Sequence, residues 1–252
     1  VGEIWGYVTD GFFTSQEDIE KSPQQTLLKA STSGKWLPGD IKFKDVNGDG
    51  VINDGDQTVD NPGDRRVIGN MTPRYTYGIN LDADWNNFFF SVFFQGVGKQ
   101  DWWPGPEAGN FWGQYNRPYN DIPKSQLGNI WTPENPNAYF PRYKGYAAQS
   151  TGGELRVEQT RYLQNAAYIR MKNIQLGYNL PQQLLSRVRV SNARIYVSGE
   201  NLWSWSPLYR ITKDIDVESI GGSDRVLTNG TNGNGNNYPI MKSITFGLSV
   251  TL

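Results

Sequence analysis

The sequence predicts an all-β protein of antiparallel strands, and three observations carry that expectation. In residues 243–252, Ile244, Phe246, Leu248, Val250 and Leu252 alternate without a break with Ser243, Thr245, Gly247, Ser249 and Thr251. Strand side chains point to opposite faces with a period of two, so this segment has one apolar face and one small, polar face. Composition is the second observation. Aromatics make up 13% of 252 residues while hydrophobic residues reach only 37%, with Gly at 28 and Pro at 14, a balance that favours strands and turns over helices. The third is the rhythm of the connections, which alternate between short and long along the chain.

Taken in order, residues 3–8 read as a first strand. Glu17-Asp18-Ile19-Glu20-Lys21, following Thr14-Ser15, reads as a short capped helix, and residues 40–44 read as a strand. The strand leads into the sharpest motif of the chain, residues 45–56, which has the spacing of a twelve-residue calcium loop. Asp45, Asn47 and Asp49 supply oxygens at positions one, three and five. Gly50 stands at the sharp bend of position six, Val51 offers its carbonyl at seven, Asn53 stands at nine, and Asp56 ends the loop. Calcium takes six to eight hard oxygens, which this spacing provides from one segment. Two features depart from a helix-flanked calcium loop: position twelve is Asp rather than the longer Glu, and a strand precedes the loop. The alternative is an acidic, Gly-rich turn that binds nothing. A bound Ca2+ would stiffen a surface loop and take no part in catalysis.

Residues 74–84 alternate Tyr75, Tyr77, Ile79, Leu81 and Ala83 with Thr76, Gly78, Asn80, Asp82 and Asp84. Trp85-Asn86-Asn87 reads as a tight turn, since Asn tolerates turn conformations. Residues 88–97 return with Phe88, Phe90, Val92 and Phe94 on one face and Phe89, Ser91, Phe93 and Gln95 on the other. Residues 168–180 form the next strand. Ile174, Leu176, Tyr178 and Leu180 are in phase, but Ile169 and Met171 are in the opposite phase, which predicts a bulge near Lys172-Asn173. A short connection over 181–189 leads to a strand over 190–202, and the terminal strand starts near Tyr238.

The connections near 10–73, 99–166 and 204–237 are long, polar and rich in Gly, Asn and Pro, whereas those after Asp84 and Leu180 are short. An outer-membrane barrel places short turns on the periplasmic side and long loops outside, which puts Leu252 on the periplasmic side. Tyr75, Trp85, Tyr168, Tyr178, Trp203, Trp205 and Tyr238 fall near strand ends, as membrane-interface girdles do. A soluble sandwich is the competing architecture, and it requires the apolar faces to pack on one another. In the barrel they face lipid, and the open edges must then pair with further strands.

Trp102, Trp103, Trp112, Tyr115 and Tyr119, with Phe111, crowd the start of the 99–166 connection. They either contact a sugar, a peptide or a partner protein, or form the loop's own core. Trp131, Tyr139, Phe140, Tyr143 and Tyr146 pose the same choice. Residues 228–237 are a low-complexity Asn/Gly/Thr run that reads as a loop tip.

Bulk chemistry excludes several function classes. Lys plus Arg is 24 against 25 for Asp plus Glu, a net of −1, which argues against a nucleic-acid partner. With neither Cys nor His, the chain has no thiol nucleophile, no Ser-His pair and no zinc–thiolate site. No pattern selects a carboxylate pair for glycosidase work, so no enzyme and no catalytic residue are expected. No apolar run is long enough for a membrane helix. The first residues form neither an initiator Met nor a signal peptide, so the chain reads as the interior of something longer.

Several segments together resemble the late barrel region of SusC/RagA-type TonB-linked outer-membrane proteins of Bacteroidetes. They are Gly6-Tyr7-Val8-Thr9-Asp10-Gly11-Phe12-Phe13, the run from Gly39 through Gly50, Arg66-Val67-Ile68-Gly69-Asn70 with Pro73, Tyr168-Ile169-Arg170-Met171-Lys172-Asn173-Ile174-Gln175-Leu176-Gly177-Tyr178, and Arg194-Ile195-Tyr196-Val197-Ser198-Gly199-Glu200-Asn201-Leu202. The resemblance implies a plugged transmembrane barrel of about 22 strands, of which this chain would be about the last six. It implies energised import of oligosaccharide or peptide across the cell outer membrane, a SusD-like surface lipoprotein as partner, and contact with TonB through a plug lying outside these residues. Terminal Leu252 departs from the aromatic residue on which such barrels usually end. The alternative function is a soluble, calcium-stabilised carbohydrate-binding module.

Overall fold

The computed structural model describes residues 2–26, 34–186, 190–220 and 235–251. In chain order the strands are β1 (Glu3–Tyr7), β2 (Thr9–Phe12), β3 (Gln24–Gln25), β4 (Ile41–Phe43), β5 (Val51–Ile52), β6 (Arg65–Asn70), β7 (Arg74–Trp85), β8 (Phe88–Lys99), β9 (Asp101–Trp102), β10 (Gln164–Asn165), β11 (Tyr168–Asn179), β12 (Asn192–Trp205) and β13 (Ser243–Thr251). Short helices are α1 (Gln16–Lys21), α2 (Gly109–Trp112) and α3 (Gln182–Leu185). The chain divides into two compact units. Unit 1 is Val1–Thr72, Gln100–Ala166 and Leu208–Asn237, and unit 2 is Pro73–Lys99, Ala167–Pro207 and Tyr238–Leu252.

Unit 2 is one antiparallel sheet in the order β13-β12-β11-β8-β7. The β7–β8 hairpin closes on the Trp85–Phe88 pair, and Asn86 and Asn87 have φ of 47° and 68°. Two consecutive left-handed residues make the turn whose twist matches the flanking strands, and Asn tolerates that conformation better than any bulky side chain. Register then aligns the apolar positions. Trp85, Phe88, Tyr178, Ile195 and Leu248 pair in one row across the sheet, Ala83, Phe90, Leu176, Val197 and Phe246 in the next, and Leu81, Val92, Ile174, Gly199 and Ile244 in a third. The opposite face carries Asp82, Ser91, Gln175, Ser198 and Thr245 in register.

The predicted bulge is present. The register of β11 shifts between Met171 and Asn173 against both β8 and β12, and Met171 pairs with Phe94 and with Trp203. Lys172 is the extra residue of β11 against β8, whereas Asn201 and Leu202 are the extra pair of β12 opposite Lys172. Asn201 takes φ 52°, the left-handed conformation a bulge of this kind requires. The shift returns Ile169 and Met171 to the apolar face, where Phe94 meets Trp203 edge-on at 6.5 Å.

Among the described residues the sheet has five strands, and the expected place of residues 3–8 as a sixth is corrected. Residues 3–7 do form a strand, but β1 pairs with β6 in unit 1. Its other edge is also occupied: Tyr7 N donates to Glu158 O at 2.8 Å and Thr160 N donates to Tyr7 O at 3.0 Å. Ile4 and Tyr7 are buried, with Tyr7 edge-on to Phe43 at 5.5 Å.

Unit 1 gathers the three long connections into a body with its own core. Small sheets pin it: β2 with β4 antiparallel, β3 with β5 parallel, β9 with β10 antiparallel. Ser15 caps α1, its Oγ accepting from Asp18 N at 3.1 Å. Expectations that fall on 228–234 and on Leu252, and the side chain of Tyr146, lie outside the described residues.

Candidate functional site

The apolar face of unit 2 lies open. Phe246 is 84% exposed, and Leu81, Leu176, Ile195, Ile244, Leu248 and Val250 are all exposed. Trp85 and Phe88 lie at one end of this face and Trp203 and Trp205 at the other, again exposed. A soluble module would cover such a face with a second sheet, because contiguous apolar patches beyond a few hundred Å² are rare on water-soluble monomers. The face is suited to a hydrocarbon medium, with rings at both borders. No helix among the described residues is long and apolar enough to cross a membrane, a statement that does not bear on strands. On the polar face, the ring of Phe89 lies over Gly177 and that of Tyr196 over Gly247, so a Cβ at either glycine would overlap a ring. The Arg194 guanidinium sits 5.7 Å from the Phe89 ring centre.

The calcium-type loop is wrapped by its own side chains. Asp45 accepts from Gly48 N at 2.5 Å and Gly50 N at 2.8 Å, Asn47 from Asp49 N at 3.0 Å, and Asp49 from Val51 N at 2.8 Å. The Val51 N–H, and then Asn47, hold the Asp49 carboxyl below its ordinary range. The bend at Gly50 has φ of 82°, which an L side chain rarely adopts. Asn53 Oδ1 accepts from Gly55 N at 2.8 Å and its Nδ2 donates to Val51 O at 3.2 Å. Asp56, at position twelve, accepts from Asn61 Nδ2 at 2.9 Å. The residue that sequence spacing missed is Asp64. Fully buried, it accepts from Val46 N at 2.7 Å and Asn53 N at 2.9 Å, and so clasps both arms of the loop. Its distance from the motif hid it. Oxygens of positions one, three, five and seven have the chemistry of a calcium site, but the closing carboxylate is engaged elsewhere. Among the described residues no three acidic side chains converge.

Four of the five aromatic contact candidates are corrected to core residues. Trp102, Trp103, Trp112 and Tyr115 are fully buried, so their rings face one another rather than a ligand. Trp112 Nε1 donates to Pro104 O at 2.7 Å, and its ring meets Tyr162 at 5.1 Å and Trp103 at 6.3 Å. Tyr115 OH donates to Pro141 O at 2.6 Å, and its ring stacks on Phe140 at 6.0 Å. Burial raises the Tyr115 and Tyr162 phenols far above the ordinary value. Tyr139 and Phe140 belong to the same cluster, in edge contact at 5.0 Å. Tyr119 alone of the five is exposed, at 80%.

A buried ion group ties unit 1 together. Asp40, with no exposed surface, accepts from Arg142 Nε at 2.6 Å, from Lys144 Nζ at 2.8 Å and from Leu37 N at 2.9 Å. Lys144 also pairs with Glu154, whose Oε2 accepts from Ile41 N at 3.1 Å. The Glu154 Oε1 contact is an ion pair without hydrogen-bond direction, which leaves that oxygen partly unsatisfied. Burial raises the Glu154 carboxyl from 4.5 to about 7; Lys144 opposes the shift and Asp40 adds to it. The folded state thus binds the proton more tightly than the unfolded chain does. Its stability should fall as pH rises from 4.5 through 7. Denaturation at pH 5 and at pH 8 checks this, and Glu154→Gln should flatten the difference; equal slopes in both chains would refute the assignment.

No protein-family model matches the chain. It is 30% identical over 245 residues to TonB-dependent receptor P26 of Formosa agariphila, covering 96% of this chain and 22% of that protein. It is 29% identical over 258 residues to TonB-dependent receptor P3 of the same organism, covering 99% and 22%. Among solved structures it resembles the RagAB peptide transporter, with a TM-score of 0.61 and 18% identity over 98% of this chain and 22% of that one. The chain thus spans 22% of the length of these curated relatives.

Proposed function

This chain is related to the TonB-dependent receptors along nearly its whole length, and from that premise we propose that it supplies part of the wall and the outer loops of an outer-membrane nutrient importer. Unit 2 is the barrel wall and unit 1 the folded extracellular loops. The whole importer takes up oligosaccharide or peptide with a SusD-like lipoprotein at the surface, and is energised by TonB through a plug supplied by other residues. In that setting the outer edges of β7 and β13 pair with further strands, because hydrocarbon offers their backbone groups no partner. The observation that carries the reading is the set of largely apolar rows in register across the sheet, most of whose side chains are exposed or half-exposed on one face.

These 252 residues contain no cysteine, so a cysteine introduced among them is the only one in this part of the receptor. In the full-length receptor reconstituted in vesicles, a polarity-sensitive label on Phe246→Cys should report hydrocarbon, while one on Thr245→Cys should be reached by a water-soluble quencher. The opposite pattern, or equal water access at both sites, sinks the membrane assignment.

Calcium belongs to the same proposal as a stiffener of the loop, held by Asp45, Asn47, Asp49, the Val51 carbonyl and Asn53, with Asp56 released from Asn61. Calcium should raise the melting temperature of the wild-type chain, and Asp45→Ala or Asp49→Ala should abolish the rise. No rise in wild type would leave the segment as a turn.

A further inference from the structure

The buried ion group of unit 1 brings a nucleophile and an acyl acceptor into contact with water excluded. The Lys144 side chain is only 3% exposed, and its Nζ lies 2.8 Å from Oδ1 of Asp40, whose side chain has no exposed surface. The carbon that bears this oxygen is one bond farther on. Arg142 Nε, 2.6 Å from Oδ1, and Leu37 N, 2.9 Å from Oδ2, hold the Asp40 carboxyl in place. Glu154, equally buried, pairs with the same Nζ through Oε1, while its Oε2 accepts from Ile41 N at 3.1 Å. That Oε1 has no hydrogen-bond partner. Lys144 Nζ also lies over the Trp36 ring, 5.8 Å from its centre. Burial penalises every charge in such a group, which brings the neutral amine and neutral acid needed for acyl transfer within reach.

We propose that Lys144 and Asp40 join in an intramolecular amide bond, with Glu154 as the acid–base group. The ion group described above is the reactant state. Glu154 relays one ammonium proton to Oδ1 of Asp40, leaving a free amine beside a neutral carboxylic acid. Nζ then bonds to Cγ, and charge builds on Oδ2, which the Leu37 N–H faces. The Cγ–Oδ1 bond breaks as Glu154 relays a second amine proton to Oδ1. Water leaves with that oxygen and both protons, Nζ keeps one hydrogen as an amide, and nothing is oxidised or reduced. A Glu154 carboxyl raised to about 7 is suited to carrying a proton in both directions near neutrality. Condensation is unfavourable in open water, but fixed contact amounts to an effective concentration of about 10^5 M or more, and the amide removes two buried charges. The bond ties positions 104 apart, the approach to β4 and the connection between β9 and β10. With no cysteine in these residues, no disulfide does this within the chain. The chemistry needs only contacts within unit 1 and nothing from the import reading.

The test is mass spectrometry on the full-length receptor, purified folded in detergent, then denatured and cut with trypsin. The bond should join Trp36–Lys42 to Tyr143–Arg156 in one branched peptide, lighter than its two parts by one water, and should block cleavage after Lys144. Glu154 lies in the second peptide, so a bond from Lys144 to Glu154 would leave Trp36–Lys42 free. Lys144→Arg keeps the charge without the amine nucleophile and should release Trp36–Lys42 in full. Glu154→Gln should yield less than about a tenth of the branched peptide while keeping the near-ultraviolet dichroism of the wild type, which ties the loss to proton relay and not to unfolding. Trp36–Lys42 free in full yield from wild type, a water loss that persists in Lys144→Arg, or a branched peptide as abundant in Glu154→Gln as in wild type overturns the proposal.

Discussion

Lys144→Met should be among the most destabilising single changes in the chain, costing about 3–5 kcal/mol at pH 8. Lys144 is the cation shared by Asp40 and Glu154, both without exposed surface. Methionine matches the aliphatic stem but leaves Glu154 with no cation and Asp40 with Arg142 only. A buried carboxylate stripped of its partner carries its desolvation cost uncompensated. The loss should shrink as pH falls from 8, because Glu154, already raised to about 7 with Lys144 beside it, accepts a proton more readily once that cation is gone. The double variant Lys144→Met with Glu154→Gln should recover much of the stability, since a neutral amide needs no counter-charge. Chemical denaturation of the three chains at pH 5.5 and pH 8 reads all of this. A single variant as stable as wild type at pH 8 would show that the ion group contributes nothing to folding.

Trp112→Ala should cost about 3–5 kcal/mol, through lost packing and a cavity that the neighbouring rings cannot fill. The indole is fully buried among Trp103, Phe111, Phe140 and Tyr162, and its N–H is satisfied by the Pro104 carbonyl. These rings come from different stretches of one long connection, so the loss should appear as a broad drop in near-ultraviolet dichroism, not as a local change. Tyr119→Ala is the matched control. It removes an exposed ring and should stay within about 0.5 kcal/mol of wild type. Equal effects of the two would contradict the division into core and surface.

The two predictions concern regions that were not equally legible from sequence. The strands of unit 2 were read almost residue by residue, because alternation is local. A bulge leaves a phase flip, as at Lys172, and a two-residue turn leaves adjacent Asn residues, as at Asn86-Asn87. The calcium-type spacing was equally local, but its clasp, Asp64, lay beyond the motif and joined it only by hydrogen bonds to Val46 and Asn53. The ion group was not legible at all. Asp40 lies more than a hundred positions from both Lys144 and Glu154, and nothing in an isolated Asp or Lys marks it as buried. The first strand was recognised as a strand but counted with the wrong sheet, since periodicity reports pleating and not pairing.

Sequence alone therefore determined which segments are extended, which of their faces is apolar, and that three long polar connections separate them, because each of these follows from the order of neighbouring residues. Tertiary structure decided what those connections become. Trp102, Trp103, Trp112 and Tyr115 could have been offered to a ligand, but they are folded into one another, leaving Tyr119 at the surface. The physical reason is that burial is a property of the assembled body. A ring is hidden only when distant segments close over it, and no local pattern records which rings they will reach.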